Sequence, residues 1–203
     1  MKQLANGDIL SFGKFDWRVL DRRDGQIFLL CKNFVNGKYH EKSARWFGVT
    51  WSDCTLRKYL NNDFLNIFFS QAERDRIVKT SIINKDNPWF GTNGGNSTVD
   101  KVFLLSLDEV VTYFGDSGQL KNKNPNSSIC IDDEYNNARL ALINENYDKY
   151  QVGSHFQAWW LRSPGMRSRN AAYVGHTGEI CVHGVHVDNY GIYIRPAMWV
   201  RQS

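Results

Sequence analysis

The residues best suited to chemistry lie near the C-terminus, in the stretch GHTGEICVHGVHVDNYGIYI from Gly175 to Ile194. It contains three of the five histidines, one of the four cysteines and two of the nine tyrosines. Imidazoles and thiols bind metals or move protons, whereas exposed tyrosines are typical of contact surfaces. The stretch could therefore be a metal centre, a catalytic site or a binding surface.

A metal centre would need His183 and His186 to point to the same place. Residues three apart on a strand point to opposite faces, so these imidazoles converge only if Gly184 makes a turn. The spacing defines no third ligand. We therefore expect no bound metal and no other cofactor, and histidines exposed on a strand instead.

The sequence gives little support for a catalytic site either. Cys181 and His183 share a strand face, so a Cys–His pair is geometrically feasible. Ser163 and Ser168 lack the G-x-S-x-G context of a serine nucleophile. Three consecutive carboxylates occur only at 132–134, where we expect a solvated loop. The sequence favours a protein without catalytic residues.

The N-terminal elements are predicted to be strands. FDWRVLD and QIFLLCK flank Asp24-Gly25, a dipeptide typical of tight hairpin turns. Five residues are expected on the inward face: Trp17, Val19, Ile27, Leu29 and Cys31.

The middle of the chain is predicted to be helical. TWSDCTLRKYLNNDFLNIFF has apolar residues at helical spacing, with Ser52 as its expected N-cap and a break at 61–63. Capping boxes are predicted at Ser70–Glu73 and Ser106–Glu109, and Gly115 is expected to end the second of these helices.

Two polar segments interrupt this pattern. An ordered loop around 84–106 offers oxygen ligands for calcium, but its spacing does not match an EF-hand, so Asx turns are expected. Residues 116–137 are predicted to form a flexible insertion, followed by a short helix in NNARLALI. With no repeat and no Pro-rich linker, residues 1–203 are expected to form one domain.

From Ala158 onward the pattern indicates a half-buried antiparallel sheet with a tight turn at 176–178. Ile180 and Val182 are expected to face inward and Cys181 outward. The tryptophans Trp159, Trp160 and Trp199 are assigned to the core, with one of the adjacent pair facing the helices or the surface. The guanidinium groups of Arg162 and Arg195 are expected to hold loops through backbone carbonyls.

Composition limits the kind of binding partner and the cellular compartment that we expect. The net charge is +4 and aromatics make up 14% of residues, without the basic stripe of a nucleic-acid-binding protein. The four cysteines are far apart, which predicts thiols in a reducing environment. With no secretory signal and no long apolar run, we expect a soluble cytoplasmic protein, or one displayed on a virion or cell surface by other proteins.

Several blocks resemble a known family. FGKFDWRVLD, VTWSDCTLRKYLNNDFL, KVFLLSLDEVVTYF, WWLRSPG, AAYV and RPAMW occur in this order along most of the chain. They are similar to the bacterial and phage domain-of-unknown-function family 6273. The resemblance implies an α+β, C-type-lectin-like (formylglycine-generating-enzyme-like) single domain with N-terminal strands, central helices and a C-terminal antiparallel sheet. Such domains also carry the variable proteins of diversity-generating retroelements, in which altered codons change a displayed binding surface.

The chain departs from the family between AAYV and RPAMW, where members are rich in Asn, Ser and Gly. When Asn codons are altered at their adenines, they encode residue types that this chain carries near its C-terminus. This agreement favours a variable display region at 165–194. The ligand-binding residues predicted there are Arg167, Arg169, Asn170, His176, Glu179, Cys181, His183, His186, Asp188, Asn189, Tyr190 and Tyr193. Replacing Tyr190, Tyr193 and Arg169 together is expected to abolish binding with little loss of stability.

The expected ligand is a protein or a carbohydrate, and the oligomeric state is left open. The alternatives are an unvaried lectin-like interaction domain and, less favoured, an enzyme of the sulfatase-modifying fold.

Overall fold

The computed structural model describes residues 5–35, 47–123, 129–143 and 157–202, with the backbone alone at 142–143. In these ranges the chain is α+β, built mainly from antiparallel strands with five short helices. The coarse fold class expected from the sequence is therefore confirmed.

The first sheet has the order β1-β2-β3-β12 and is antiparallel throughout. Its strands are β1 (Ile9–Phe12), β2 (Phe15–Arg23), β3 (Gln26–Cys31) and β12 (Ala197–Arg201). The predicted β2–β3 hairpin is confirmed: Asp24 and Gly25 turn with φ of 49° and 72°, as a two-residue hairpin requires. Because β12 pairs with β3, strands from both ends of the chain share this sheet.

All five residues predicted to face inward from β2 and β3 are buried. Their neighbours Phe28 and Leu30 are buried as well, at 2% and 0% exposure. Both faces of β3 are therefore packed, so the strand is an apolar run rather than an alternating pattern.

The first predicted helix is two helices, α1 (Thr55–Asn61) and α2 (Asp63–Phe68), which confirms the predicted break. The expected N-cap at Ser52 is wrong. Cys54 takes that position, and its thiol accepts a hydrogen bond from the Arg57 amide at 3.4 Å. The Ser52 hydroxyl instead hydrogen-bonds with Thr50 and Asp53 in the preceding turn.

Both capping boxes are confirmed. Helix α3 (Gln71–Arg76) begins at Ser70, and α4 (Leu107–Phe114) begins at Ser106. In each box the serine hydroxyl accepts from the glutamate amide while the glutamate carboxylate accepts from the serine amide. Gly115 ends α4 as expected, with a φ of 87°.

The second sheet has the order β7-β11-β10-β9 and is also antiparallel. Its strands are β7 (Cys130–Ile131), β9 (Trp159–Pro164), β10 (Asn170–Val174) and β11 (Ile180–His186). Two smaller pairs complete the described strands: β5 (Thr80–Ile82) with β6 (Thr98–Asp100), and β4 (Asn33–Phe34) with β8 (Leu142–Ile143).

The segment predicted as a flexible polar insertion at 116–137 supplies structural residues at its C-terminal end. Residues 130–131 form the edge strand β7, followed by the short helix α5 (Asn136–Arg139), whose existence was predicted. The expectation of a solvated carboxylate run is wrong at Asp133, whose side chain is 2% exposed and pairs with the buried Arg139 at 2.9 Å.

The predicted loop at 84–106 contains strand β6. Asn93 makes an Asx turn by accepting from the Gly95 amide at 2.7 Å. The Asp100 carboxylate is buried, where it accepts hydrogen bonds from Trp51, Thr98 and Arg57. Asp100 therefore stabilises the fold through these hydrogen bonds, rather than serving as the calcium ligand considered from the sequence.

The assignments of tryptophans and arginines to the scaffold are largely confirmed. Trp159 and Trp160 are both fully buried, which excludes the surface as the place of either and leaves the other predicted alternative, a position toward the helices. Arg162 donates to the Leu104 carbonyl and pairs with Glu109, and Arg195 donates to the Cys31 carbonyl. These buried cations therefore tie segments distant in sequence to the two sheets.

Candidate functional site

Four loops meet at one end of the second sheet, and we call this cluster (47–50, 90–93, 165–169 and 187–191) the display end. The Val49 amide donates to the Ser168 carbonyl at 2.9 Å, and the Val187 amide donates to the Arg169 carbonyl at 3.0 Å. The Thr92 hydroxyl donates to the Met166 carbonyl at 3.0 Å. The loop that follows β9 therefore touches the other three.

Large apolar side chains are exposed on three of these loops. Phe47 is 93% exposed, Tyr190 74% and Met166 40%. Arg167 and Arg169 are also exposed and flank Ser168. Rings and arginines presented together are the residue types that dominate binding hot spots.

Apart from Tyr193, the predicted ligand-binding residues divide into three groups. At or beside the display end lie Arg167, Arg169, Asn170, His186, Asp188, Asn189 and Tyr190. His176 and Glu179 lie at the turn between β10 and β11, separated from Asn170 by the length of β10, roughly 13 Å at a strand rise of about 3.3 Å per residue. Cys181 and His183 lie between the two ends, on β11.

Two members of this set are not outward-facing as predicted. Tyr193 is 6% exposed, and its ring packs 5.5 Å from that of Phe34. Cys181 is 2% exposed because β7 and the Tyr173 side chain lie beside it. Strand alternation could not show this burial because the elements that cover both residues come from elsewhere in the sequence.

Short-range hydrogen bonds order the loop that follows β11. The His186 Nδ1 atom lies 2.5 Å from the Asp188 carboxylate, and the Asn189 side chain accepts from the Gly191 amide at 2.8 Å. These contacts hold the loop on either side of Tyr190, which reduces the entropy lost when that ring contacts a partner.

Gly184 lies at a bulge within β11, so the turn on which convergence of the two histidines would depend does not form. Its φ is 66°, and the pairing of β10 with β11 shifts register between Ala171 and Tyr173. His183 contacts Cys130, whereas His186 contacts Asp188. The two imidazoles therefore have different partners and form no shared site.

Replacing Gly184 with alanine is expected to lower the free energy of unfolding by about 2 kcal/mol. A Cβ atom there would lie 2.3 Å from the Ala171 carbonyl oxygen, on a backbone with positive φ. Urea denaturation followed by circular dichroism measures the loss. Gly25→Ala is a useful comparison, because its positive φ adds strain but nothing lies within 4 Å of its Cβ position. An equal loss in both variants would show that the close contact contributes nothing.

A second cluster joins β7 to β11, where Cys130 and Cys181 are directly opposite partners with sulfur atoms 2.7 Å apart. The His183 Nδ1 atom lies 3.8 Å from the Cys130 sulfur. Sequence analysis identified Cys181 and His183 but missed Cys130, which lies in the segment taken for an insertion. The apolar residues beside it in the ICI run were the available signal for a strand.

An open groove of about 340 Å³ lies elsewhere, between Phe28, Trp199 and the start of α4. Arg162 at its floor already pairs with Glu109, and Arg23 lies over the Trp199 ring, 4.9 Å from its centroid. Since its charged groups have internal partners, the groove offers less to a ligand than the display end does.

Two further features are absent from the described ranges. These ranges contain no group of three or more His, Cys, Asp or Glu arranged to hold a metal ion. Within the same ranges, none of the helices has the length and apolar character needed to cross a bilayer.

Comparison with known families matches residues 24–202 to the family described as Domain of unknown function (DUF6273). The match spans most of the chain, including the whole second sheet and strands β3 and β12 of the first, so the protein belongs to this family. No curated protein matches it significantly, and no solved structure does.

Proposed function

We propose that this protein binds a partner protein through the display end and has no catalytic role there. The observation that carries the proposal is the exposure of Phe47, Met166 and Tyr190 on loops that hydrogen-bond to one another. Arg167 and Arg169 add directed hydrogen-bond donors beside these apolar side chains. A small apolar cluster edged by cations suits a protein surface that carries carboxylates around an apolar centre.

The C-type-lectin-like architecture is part of the same proposal. Its support is the pairing of β12 with β3, which joins the two ends of the chain in one sheet, and the separate sheet whose loops form the display end. Such a scaffold keeps its core apart from its contact loops. Substitutions at the display end would then change binding without unfolding the domain.

We extend the proposal to the gene: a retroelement diversifies the codons of the display end. Arg167, Arg169, Asn189 and Tyr190 lie on loops, where exchange costs little, which is compatible with codon variation there. Finding a reverse-transcriptase gene nearby and a near-copy repeat of the 3′ coding end would support the extension. A neighbourhood lacking both would remove it and leave an unvaried interaction domain.

A calcium-dependent lectin is the alternative that a simple measurement distinguishes. The two carboxylates of the predicted set have internal partners: Asp188 contacts His186 and Glu179 accepts from Thr177. Calorimetric titration of calcium into the protein should therefore give no saturable heat. Saturable binding coupled to sugar affinity would favour the lectin alternative.

The proposed function is tested by photo-crosslinking with p-benzoylphenylalanine at position 190, in a lysate of the organism that encodes the chain. The control carries the same group at Ile67, which is 54% exposed on α2. We expect a discrete protein adduct from position 190 that is absent from position 67. The same adducts from both positions, or none from either, would contradict the proposal.

A further inference from the structure

The cysteine pair between β7 and β11 is placed to form a covalent bond. Cys130 and Cys181 face each other across an antiparallel pair. Directly opposite residues have Cα atoms about 4.5–5.5 Å apart, inside the range that a disulfide spans. With the sulfur atoms already 2.7 Å apart, bond formation requires no rearrangement of the fold.

The two thiols have different surroundings, and we therefore expect them to have different chemical roles. Cys130 is half-buried at the sheet edge, whereas Cys181 is 2% exposed. The hydrogen bond with the Cys181 thiol, aided by the His183 imidazole, lowers the pKa of Cys130 to about 6. The same hydrogen bond, together with burial, raises the pKa of Cys181.

The groups around the pair favour one ionisation state. The hydrogen bond with Cys130 raises the pKa of His183, which favours a protonated imidazole beside the Cys130 thiolate. Glu179 lies 4.0 Å from the Cys181 sulfur, and the Tyr173 side chain hydrogen-bonds with the same thiol. Cys130 is thus the ionised, reachable sulfur and Cys181 the protonated one behind it, the arrangement of a reactive cysteine with a resolving partner.

We propose that Cys130 and Cys181 are a reversible dithiol–disulfide pair, oxidised by hydrogen peroxide or an organic hydroperoxide and reduced by a low-molecular-weight thiol. This redox function is separate from partner binding at the display end. Its effect on the fold is to tie the two-residue edge strand β7 covalently to β11.

The oxidation proceeds in two balanced steps. The Cys130 thiolate attacks one peroxide oxygen, forming an S–O bond and breaking the O–O bond. The departing oxygen takes the proton of the His183 imidazolium and leaves as water or an alcohol. Cys181 then attacks the Cys130 sulfenic acid; the S–S bond forms, the S–O bond breaks, and the Cys181 proton leaves with the hydroxide as water. Two electrons pass from the sulfurs to the peroxide, and two equivalents of thiol return them.

The test treats the folded chain with hydrogen peroxide and measures its intact mass and peptide map. We expect the loss of two hydrogen atoms, a disulfide joining the peptides of Cys130 and Cys181, and full reversal by dithiothreitol. Cys31 and Cys54 are buried internal controls, and burial raises the pKa of Cys31 to about 12. Absence of the disulfide, or equally fast oxidation of the two controls, would overturn the proposal.

Two variants test the assigned tasks. Cys181→Ser should stop the reaction at the Cys130 sulfenic acid, which a cyclic 1,3-diketone traps. His183→Gln should slow oxidation at neutral pH roughly tenfold, because less of Cys130 is ionised. Unchanged rates in His183→Gln, or no trapped sulfenic acid in a folded Cys181→Ser, would assign the chemistry to other groups.

Discussion

Replacing Arg139 with methionine is expected to lower the free energy of unfolding by about 3–5 kcal/mol. The Arg139 side chain is fully buried, and its guanidinium pairs with Asp133 at 2.9 Å. It also donates to the carbonyls of Gly115 and Gly178, which tie the end of α4 and the β10–β11 turn to α5. Methionine would leave the Asp133 carboxylate buried without a cation. Urea denaturation followed by circular dichroism gives the change.

Lys85→Met is the matched control, because its ion pair with Asp108 is exposed, at 70% and 48% for the two side chains. That variant should lose less than about 1 kcal/mol. Asp133→Asn, added to Arg139→Met, should recover part of the loss by removing the unpaired charge. An Arg139→Met variant as stable as Lys85→Met would refute a structural role for this pair.

Two tyrosines three residues apart are expected to respond oppositely to truncation. Tyr193→Ala should cost about 3–5 kcal/mol of unfolding free energy, as other large-to-small substitutions of buried aromatics do. Its ring is 6% exposed against Phe34, and its backbone pairs with Ala158 and Trp160. Tyr190→Ala should change stability by less than about 0.5 kcal/mol, since its ring is 74% exposed.

Both variants are compared by urea denaturation, with Tyr193→Phe as a control that keeps the buried ring. Tyr193→Phe should retain most of the stability lost in Tyr193→Ala. A small loss in Tyr193→Ala would restore this residue to the predicted ligand-binding set. An equally large loss in Tyr190→Ala would show that the loop at 187–191 belongs to the core.

Local elements could be predicted from the sequence because their signals are short-range. The Asp24-Gly25 hairpin and both capping boxes depend on residues within a few positions of one another, and all are confirmed. The N-cap of α1 was misassigned because Ser52 and Cys54 are both able to accept a hydrogen bond. The choice between them depends on the Thr50–Asp53 turn that precedes the helix.

The candidate sites were predictable only in part, because they depend on pairing between distant segments. Alternation along β11 predicts an outward Cys181, and the family comparison puts Tyr193 in the display region, but no local pattern indicates that β7 covers the first or that Phe34 packs on the second. Phe47 and Met166 were missed for the same reason. Their significance comes from exposure beside Tyr190, which depends on how the four loops meet.

The most direct test of partner binding uses the protein cross-linked through position 190 and measures its affinity for a loop variant. In the variant Arg167→Ala/Arg169→Ala/Tyr190→Ala we expect affinity to fall by at least about 100-fold, with the melting temperature unchanged. The control Ile67→Ala/Lys79→Ala/Lys121→Ala, which removes exposed side chains elsewhere, should bind like the wild type. An affinity within about twofold of wild type in the loop variant, or equal losses in both, would contradict binding through the display end.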